Sequence, residues 1–234
     1  KTMKTTSKSI LSNWRKTFPA PWPAVWIWTI LAIFVLGIIT PYSPTLTFIK
    51  ISGIFLCFVY VLHLFPKDRL LQFALLITFI SDIILAINNT AELGVLAFLI
   101  AQILHTMRLE GKSYLTQIIS FTTLAMVAMI INLIWSIIPM LYLICGFYIV
   151  AIITNVYISW RWWRQNPQNP RAFCAWLGFT LFLCCDACTG VSYLSLNHLF
   201  PAFCYAPANF LAWFFYYPSQ VLVANSSKTR ASLS

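Results

Sequence analysis

The sequence has little charge. Only 9% of its 234 residues are Asp, Glu, Lys or Arg, whereas 60% are hydrophobic and the mean hydropathy is +0.81. Soluble domains carry about 25% charged residues, so this composition excludes a soluble globule and indicates a membrane protein. The polar stretches between the apolar runs are short, and no segment has room for a separate soluble domain.

Long apolar runs fill almost the whole chain. A helix needs about 20 predominantly apolar residues to cross a bilayer core roughly 30 Å thick. We count eight such runs, at approximately Trp22–Thr40, Thr45–Leu64, Leu70–Asn88, Glu92–Arg108, Tyr114–Trp135, Pro139–Trp160, Ala172–Tyr193 and Cys204–Ala224. Short connections make neighbouring helices antiparallel. We therefore predict an all-α polytopic membrane protein, with one eight-helix domain over residues 22–224 between a basic segment at 1–21 and a tail at 225–234.

Positive charge alternates from one connection to the next. Lys and Arg occur in the N-terminal segment, around 67–69, 108–112 and 161–171, and at 228–230, whereas the connections TPYSP, NNTAE, SIIP and SLNHLFP contain none. The positive-inside rule places both termini in the cytoplasm, and we expect a bacterial inner membrane. Because the net charge of +10 follows alternate loops, it does not indicate nucleic-acid binding.

Seven cysteines raise the possibility of a metal site. Cys185 and Cys188 match C-x-x-C, but no second Cys or His pair at ligand spacing accompanies them. All the cysteines lie in or beside apolar runs, where cysteine behaves as a small hydrophobic residue. We predict no metal and no cofactor.

Acidic residues are scarce, and two of the five lie deep in predicted spans. Asp82 lies in the third span and Asp186 in the seventh. An ionisable group at mid-membrane costs about 2.5–3.5 kcal/mol and by default marks a functional site. At a helical rise of about 1.5 Å per residue, the two acids lie about 18 and 21 Å from the cytoplasmic ends of their spans.

Lys50 is the only Lys or Arg well inside a predicted span. It lies about 7 Å below the outer surface by helical rise, so Lys50, Asp82 and Asp186 share one layer. Because a charge that faces lipid is costly, we expect both carboxylates to face a common interior cavity.

Short internal matches predict two parallel four-helix repeats. The segment Pro44–Lys50 resembles Pro139–Cys145, and FLIAQIL resembles YYPSQVL, which aligns Gln102 with Gln220. The same alignment matches the two deep acids. The repeat is asymmetric, because Lys50 has only a cysteine opposite it.

Polar and aromatic side chains on the faces of the same spans are candidates for substrate contacts. They are Gln102, Gln220, Tyr193, Asn209, Trp213 and Tyr216. For Asn209, as for His105, Thr78 and Thr189, a hydrogen bond that holds helices together explains the residue at least as well. For the two glutamines both explanations stay open.

Five features of the sequence occur together. They are FISDIILAI, LGVLAFLIAQILHTMRL, Lys50 early in the second span, LFLCCDACTG and FYYPSQVLVA. Together, over about Lys50 to Ala224, they resemble the YhhN-like membrane proteins, the lysoplasmalogenase family. The resemblance implies an eight-helix enzyme that hydrolyses the vinyl ether bond of lysoplasmalogen, a lysophospholipid. The chain departs from the family at Ser81, where Gly is usual, and at Gln102, where many relatives carry His.

The implied reaction suits two carboxylic acids. One acid protonates the vinyl ether carbon, and an ionised carboxylate stabilises the oxocarbenium-like cation and orients water, as in glycoside hydrolysis. We assign Asp186 as the acid and Asp82 as the ionised partner, because Asp82 lies nearer the level of Lys50. The expected partners are the lysophospholipid substrate and membrane lipid, and the sequence does not set the oligomeric state.

Two other classes of function stay open. One is a proton-coupled transporter that uses the acid pair, and the other is a lipid-binding membrane protein without catalysis. Carriers bind substrates at broken helices, whereas these spans contain few internal Gly or Pro residues, with Pro218 as the main exception.

The charge pattern makes a topology prediction. In a cysteine-free background, Asn166→Cys should react with a membrane-impermeant maleimide only after the cytoplasmic side is opened, because the 161–171 connection is basic. His198→Cys, in a connection without Lys or Arg, should react in intact cells. Labelling of Asn166→Cys in intact cells would contradict the count of eight spans.

Overall fold

The computed structural model describes residues 44–87, 91–110 and 115–228. Within these ranges the chain forms seven α-helices and no β-strand. The helices are α1 (Pro44–Leu64), α2 (Arg69–Ile87), α3 (Ala91–Glu110), α4 (Leu115–Trp135), α5 (Met140–Gln165), α6 (Pro170–Leu196) and α7 (Tyr205–Ala224), and a 3₁₀ turn at Ala202–Cys204 precedes α7. The predicted all-α class is confirmed for this part of the chain.

The helices coincide with the second to the eighth predicted spans. Five of them, α2 to α6, are long and apolar enough to cross a membrane. In α1 the apolar stretch with described side chains is Ile51–Leu64, and in α7 several Tyr, Pro, Asn and Gln residues lower the mean hydropathy. The first predicted span, Trp22–Thr40, lies outside the described residues. The total of eight spans therefore stays a prediction.

Two compact units make up the described residues. The first unit contains α1 up to Gly53 together with Ser159–Lys228, and the second contains the described residues of Ile54–Ile158. These divisions fall inside α1 and α5, and not between the fourth and fifth predicted spans. The pair of four-helix repeats is therefore not confirmed, and the single domain over 22–224 stays a prediction.

In the second unit α2 and α3 approach each other closely. The hydroxyl of the fully buried Ser81 donates a 2.6 Å hydrogen bond to the carbonyl of Gly94. A Cβ at Gly94 would overlap the side chain of Leu85. Small residues at such contacts let helix backbones come together, which is how helices gain packing energy in a membrane.

The first unit uses glycine in the same way. A Cβ at Gly178 in α6 would lie 3.1 Å from the backbone nitrogen of Val223 in α7, so a larger residue would push these helices apart. A Cβ at Gly53 would overlap the ring of Tyr217. Both contacts depend on the absence of a side chain at the glycine.

The helix α4 has an apolar surface that is mostly exposed, with only 11% of its span buried. Leu124 is 61% exposed and Leu133 is 74% exposed. Apolar exposure of this extent on a span-length helix fits contact with lipid acyl chains, where it carries no hydrophobic penalty.

Asp68 organises the turn between α1 and α2. Its carboxylate accepts a 3.2 Å hydrogen bond from the Leu71 amide, so it caps the N-terminus of α2. The other carboxylate oxygen lies 4.0 Å from Arg108 Nη1 in the last turn of α3, and both side chains are at most 7% exposed. One buried acid thus satisfies a helix end and balances a buried cation.

Substitutions at Asp68 separate these two roles. Asp68→Asn keeps a capping oxygen but removes the charge, and we expect it to lower the free energy of unfolding by on the order of 2 kcal/mol. This is less than the about 3–5 kcal/mol typical of breaking buried pairs, because the nitrogen and oxygen are far apart. Asp68→Ala should cost about 1 kcal/mol more, since it also removes the cap. Unfolding in detergent measures both.

The neighbouring exposed residue Lys67 supplies the control. Lys67→Gln should change the free energy of unfolding by no more than about 0.5 kcal/mol, as surface substitutions usually do. Equal stabilities for Asp68→Asn and the parent protein would show that the carboxylate charge does not stabilise the second unit.

Candidate functional site

The two deep acids lie on helices of different units. Asp82 belongs to α2 in the second unit, Asp186 belongs to α6 in the first, and both are half-buried. Lys50 lies in α1, and its side chain is outside the described part. The proposed grouping of these three residues in one site stays a prediction.

Both acids are far from the ends at which their helices begin. Asp82 follows Arg69 by 13 residues and Asp186 follows Pro170 by 16 residues. At about 1.5 Å per residue these separations are about 20 and 24 Å. The helices therefore carry both carboxyl groups to similar distances from their first residues, within about one helical turn.

The neighbours of Asp82 set its direction around α2. Ser81 is turned to α3 by its hydrogen bond to Gly94. Successive residues of a helix are about 100° apart, so Asp82 is turned about that far from the α2–α3 contact. Thr78, one turn earlier, is fully buried and donates its hydroxyl hydrogen to the Ala74 carbonyl at 2.9 Å.

Aromatic side chains surround the face of α6 on which Asp186 lies. Phe182, one turn before Asp186, packs against Tyr216 of α7 with ring centroids 5.6 Å apart. Tyr216 is 4% exposed and also contacts Trp213 at 5.6 Å and Tyr217 at 6.2 Å between centroids. Two of the predicted substrate contacts, Trp213 and Tyr216, are thus brought together in one aromatic cluster between α6 and α7.

The other predicted contacts of the first unit are more dispersed. Tyr193 lies on α6 and is 39% exposed, whereas Gln220 lies on α7 and is 1% exposed. The Gln220 amide nitrogen makes only a long contact of 3.5 Å with Ser219 Oγ. Asn209 is half-buried on α7. Thr189, which the sequence places on the face of Asp186, donates its hydroxyl hydrogen to the Cys185 carbonyl at 3.0 Å.

Gln102 forms a buried polar contact between α3 and α5. Asn155 Nδ2 donates to Gln102 Oε1 at 2.8 Å and to the Gln102 carbonyl at 2.9 Å, and both residues are fully buried. The hydroxyl of Thr106 donates to Asn155 Oδ1 at 2.9 Å. This network supports the structural explanation of Gln102. Its Nε2 group has no hydrogen-bond acceptor among the described residues, and its role as a substrate contact stays a prediction.

Sequence reasoning missed Asn155 and Tyr217. Asn155 is a single amide in the otherwise apolar stretch VAIITNVYI, a signal of the same kind that marked Gln102. Tyr217 is 2% exposed and lies against Gly53. Its neighbour in sequence, Tyr216, was selected by helical spacing, but spacing alone does not show that both tyrosines are buried.

The described part of the chain was also considered as a possible metal site. Among the described residues, no group of three or more His, Cys, Asp or Glu side chains could hold a metal ion.

The architecture defines the class of the protein. An all-helical chain with five helices long and apolar enough to cross a membrane, all in its described part, is a polytopic integral membrane protein. The chain belongs to the YhhN family, whose model matches residues 45–227 and so covers both deep acids and every predicted substrate contact. No curated protein and no solved structure matches the chain significantly.

The contact between Gln102 and Asn155 can be measured by a double-mutant cycle. Gln102→Leu and Asn155→Leu should each destabilise the protein, because each leaves a buried amide without its partner. The double variant should recover about 0.6 kcal/mol, and at most about 1.7 kcal/mol, as for other interhelical hydrogen bonds in membranes.

Thr154 provides a matched control for this cycle. It precedes Asn155, is half-buried, and donates its hydroxyl hydrogen to Val150 of its own helix. Gln102→Leu and Thr154→Val should therefore be additive. A coupling of zero between Gln102 and Asn155 would remove the basis for a structural role of this pair.

Proposed function

We propose that the protein is a lysoplasmalogenase-like hydrolase, which cleaves the vinyl ether bond of lysoplasmalogen to a fatty aldehyde and the glycerophospho-headgroup. The observation that carries this proposal is the family match over residues 45–227, which includes two half-buried carboxylic acids inside apolar helices. Intramembrane acids are costly and are retained mainly where they serve a function.

The reaction needs acid catalysis and water. Asp186 donates a proton to the alkene carbon of the vinyl ether, which gives an oxocarbenium ion whose charge is shared by the ether oxygen. The Asp82 carboxylate stabilises this cation and orients a water molecule that attacks it. The Asp186 carboxylate takes back a proton from this water, and the resulting hemiacetal transfers its hydroxyl proton to the leaving oxygen as it collapses to aldehyde and alcohol. Protons and oxygen atoms balance without an oxidant or a metal.

The aromatic cluster beside Asp186 suits the rest of the substrate. The faces of Trp213 and Tyr216 can attract a developing cation, since aromatic rings carry negative charge on their faces. The half-buried ring of Trp213 also presents apolar surface to the hydrocarbon chain. A lysolipid reaches such a layer sideways from the outer leaflet, with its headgroup at the surface.

Continuous helices favour an enzyme over a carrier. Each of the seven described helices runs without a break, and α7 continues through Pro218. Many carriers bind their substrate at helices broken near the middle of the membrane. The absence of such breaks in the described part argues against the transporter alternative.

Substitution of each acid tests the proposed roles. Asp186→Asn and Asp82→Asn should each lower the rate of aldehyde release from lysoplasmalogen by about 10²–10⁴-fold, because a general acid or base contributes about that factor. Folding should survive, since an amide costs less to bury than a charge. The measurement is fatty aldehyde release by the purified protein, together with its thermal unfolding.

Glu92→Gln is the matched control, because it makes the same chemical change at an exposed acid in the first turn of α3. It should leave the rate unchanged. Normal aldehyde release by both Asp→Asn variants, with the parent protein's thermal stability, would rule out the paired-acid mechanism but not the hydrolase activity. No aldehyde release by the parent protein would favour a lipid-binding protein.

Lys50→Met tests how the two acids divide their roles. A nearby ammonium group favours the ionised form of the carboxyl group that it approaches. Its removal should change the pH at which aldehyde release is fastest as well as the rate. A lower rate with the same pH profile would show that Lys50 contacts the substrate and does not set the charge of an acid.

A further inference from the structure

A cluster of cations and indole rings lies in the first unit where α5 ends and α6 begins. It consists of Arg171 and Lys228 with Trp162, Trp163 and Trp176, and we call it the basic aromatic surface. The proposed hydrolysis makes no use of these residues.

The segment after α7 contacts both the end of α5 and the start of α6. Lys228 Nζ lies 5.0 Å from the centroid of the Trp162 ring at the end of α5. The preceding carbonyl, that of Ser227, accepts a 3.3 Å hydrogen bond from Arg171 Nη1 in the first turn of α6. Residues from three separate parts of the sequence therefore meet at this surface.

Aromatic rings of α5 and α6 pack closely together beside these cations. Trp163 of α5 stacks on Trp176 of α6 with centroids 4.4 Å apart and planes 6° apart, and Phe173 lies against both at 5.8 Å. The contact of Lys228 with the Trp162 ring is a cation–π contact, which orients the cation without neutralising its charge.

The charge of the surface has few counterparts nearby in the sequence. Residues 159–228 contain four Lys or Arg residues and one acid, Asp186. Asp186 follows Arg171 by 15 residues on α6, which separates them by about 22 Å along the helix. The hydrogen bond of Arg171 to a neutral carbonyl leaves its positive charge intact. The net charge at this end of the unit is therefore strongly positive.

The position of the surface indicates what kind of anion it meets. Its cations lie at the adjoining ends of two span-length helices, Met140–Gln165 and Pro170–Leu196. Tryptophan is enriched at the level of lipid headgroups, and basic residues beside a membrane span attract anionic lipids. A phospholipid there can place its phosphate among the cations and its acyl chains against the apolar sides of the helices.

We propose that the basic aromatic surface is a binding site for the headgroup of an anionic phospholipid, such as phosphatidylglycerol. The site is separate in the sequence from the acids of the proposed reaction, and the bound lipid is a ligand and not the substrate. Its selectivity comes from charge, so a zwitterionic phospholipid of the same chain length binds less tightly.

Native mass spectrometry of the full chain in detergent tests this site. The probes are dioctanoyl phosphatidylglycerol, dioctanoyl phosphatidylcholine and glycerol 3-phosphate. The parent protein should bind phosphatidylglycerol more tightly than the other two. Arg171→Gln/Lys228→Gln should weaken binding of phosphatidylglycerol roughly 30-fold, because each basic residue near an anionic lipid contributes a factor of about five. Binding of phosphatidylcholine should not change.

Two matched double variants separate a local site from general attraction. Arg171→Lys/Lys228→Arg keeps both charges and should keep the preference for phosphatidylglycerol. Lys67→Gln/Arg69→Gln removes the same charge at exposed positions of the second unit and should leave this binding within about twofold, since these residues lie outside the site. Equal losses in this variant and in Arg171→Gln/Lys228→Gln would overturn the proposal in favour of diffuse attraction. Equal binding of glycerol 3-phosphate and phosphatidylglycerol would overturn it in favour of a soluble phosphate ligand.

Discussion

A polar group inside a bilayer has no water with which to form hydrogen bonds, and most of the structure of this chain depends on this constraint. It requires backbone hydrogen bonds to close within each helix, and the described part of the chain is accordingly built from helices joined by short turns. The same constraint means that a polar side chain within a span is present for one of two reasons. Either the side chain bonds to a neighbour, as Ser81 does to Gly94, or it is kept for a function.

The same constraint explains why the spans were predictable and their ends were not. The apolar runs located all seven described helices, because hydrophobicity reports the part of a helix that lies in hydrocarbon. The predicted sixth span ended at Trp160, whereas α5 continues to Gln165. Arg and Trp residues extend the helix into the headgroup region, where amphipathic side chains are stable. Asn169, which caps α6, then starts the next helix before its apolar run begins.

The candidate site was predictable to a different degree. Asp82 and Asp186 could be identified from the sequence, because an acidic residue is rare within an apolar run. The partner of a buried polar residue cannot be identified in the same way. Asn155 and Gln102 are 53 residues apart, and neither segment contains a pattern that predicts their contact. Helical spacing grouped Trp213 with Tyr216, which do contact each other, because both lie on one helix. The buried Tyr217, which lies against Gly53, required the tertiary structure.

The serine before Asp82 has a consequence for the direction of the acid. A glycine at this position would leave no side chain to tie α2 to α3 there. In this protein the Ser81 hydroxyl holds α2 against the Gly94 carbonyl. The hydroxyl works as a rotational stop, since any turn of α2 that redirected the Asp82 carboxylate would break a buried hydrogen bond. The angular freedom of the acid is thereby limited by its neighbour in sequence.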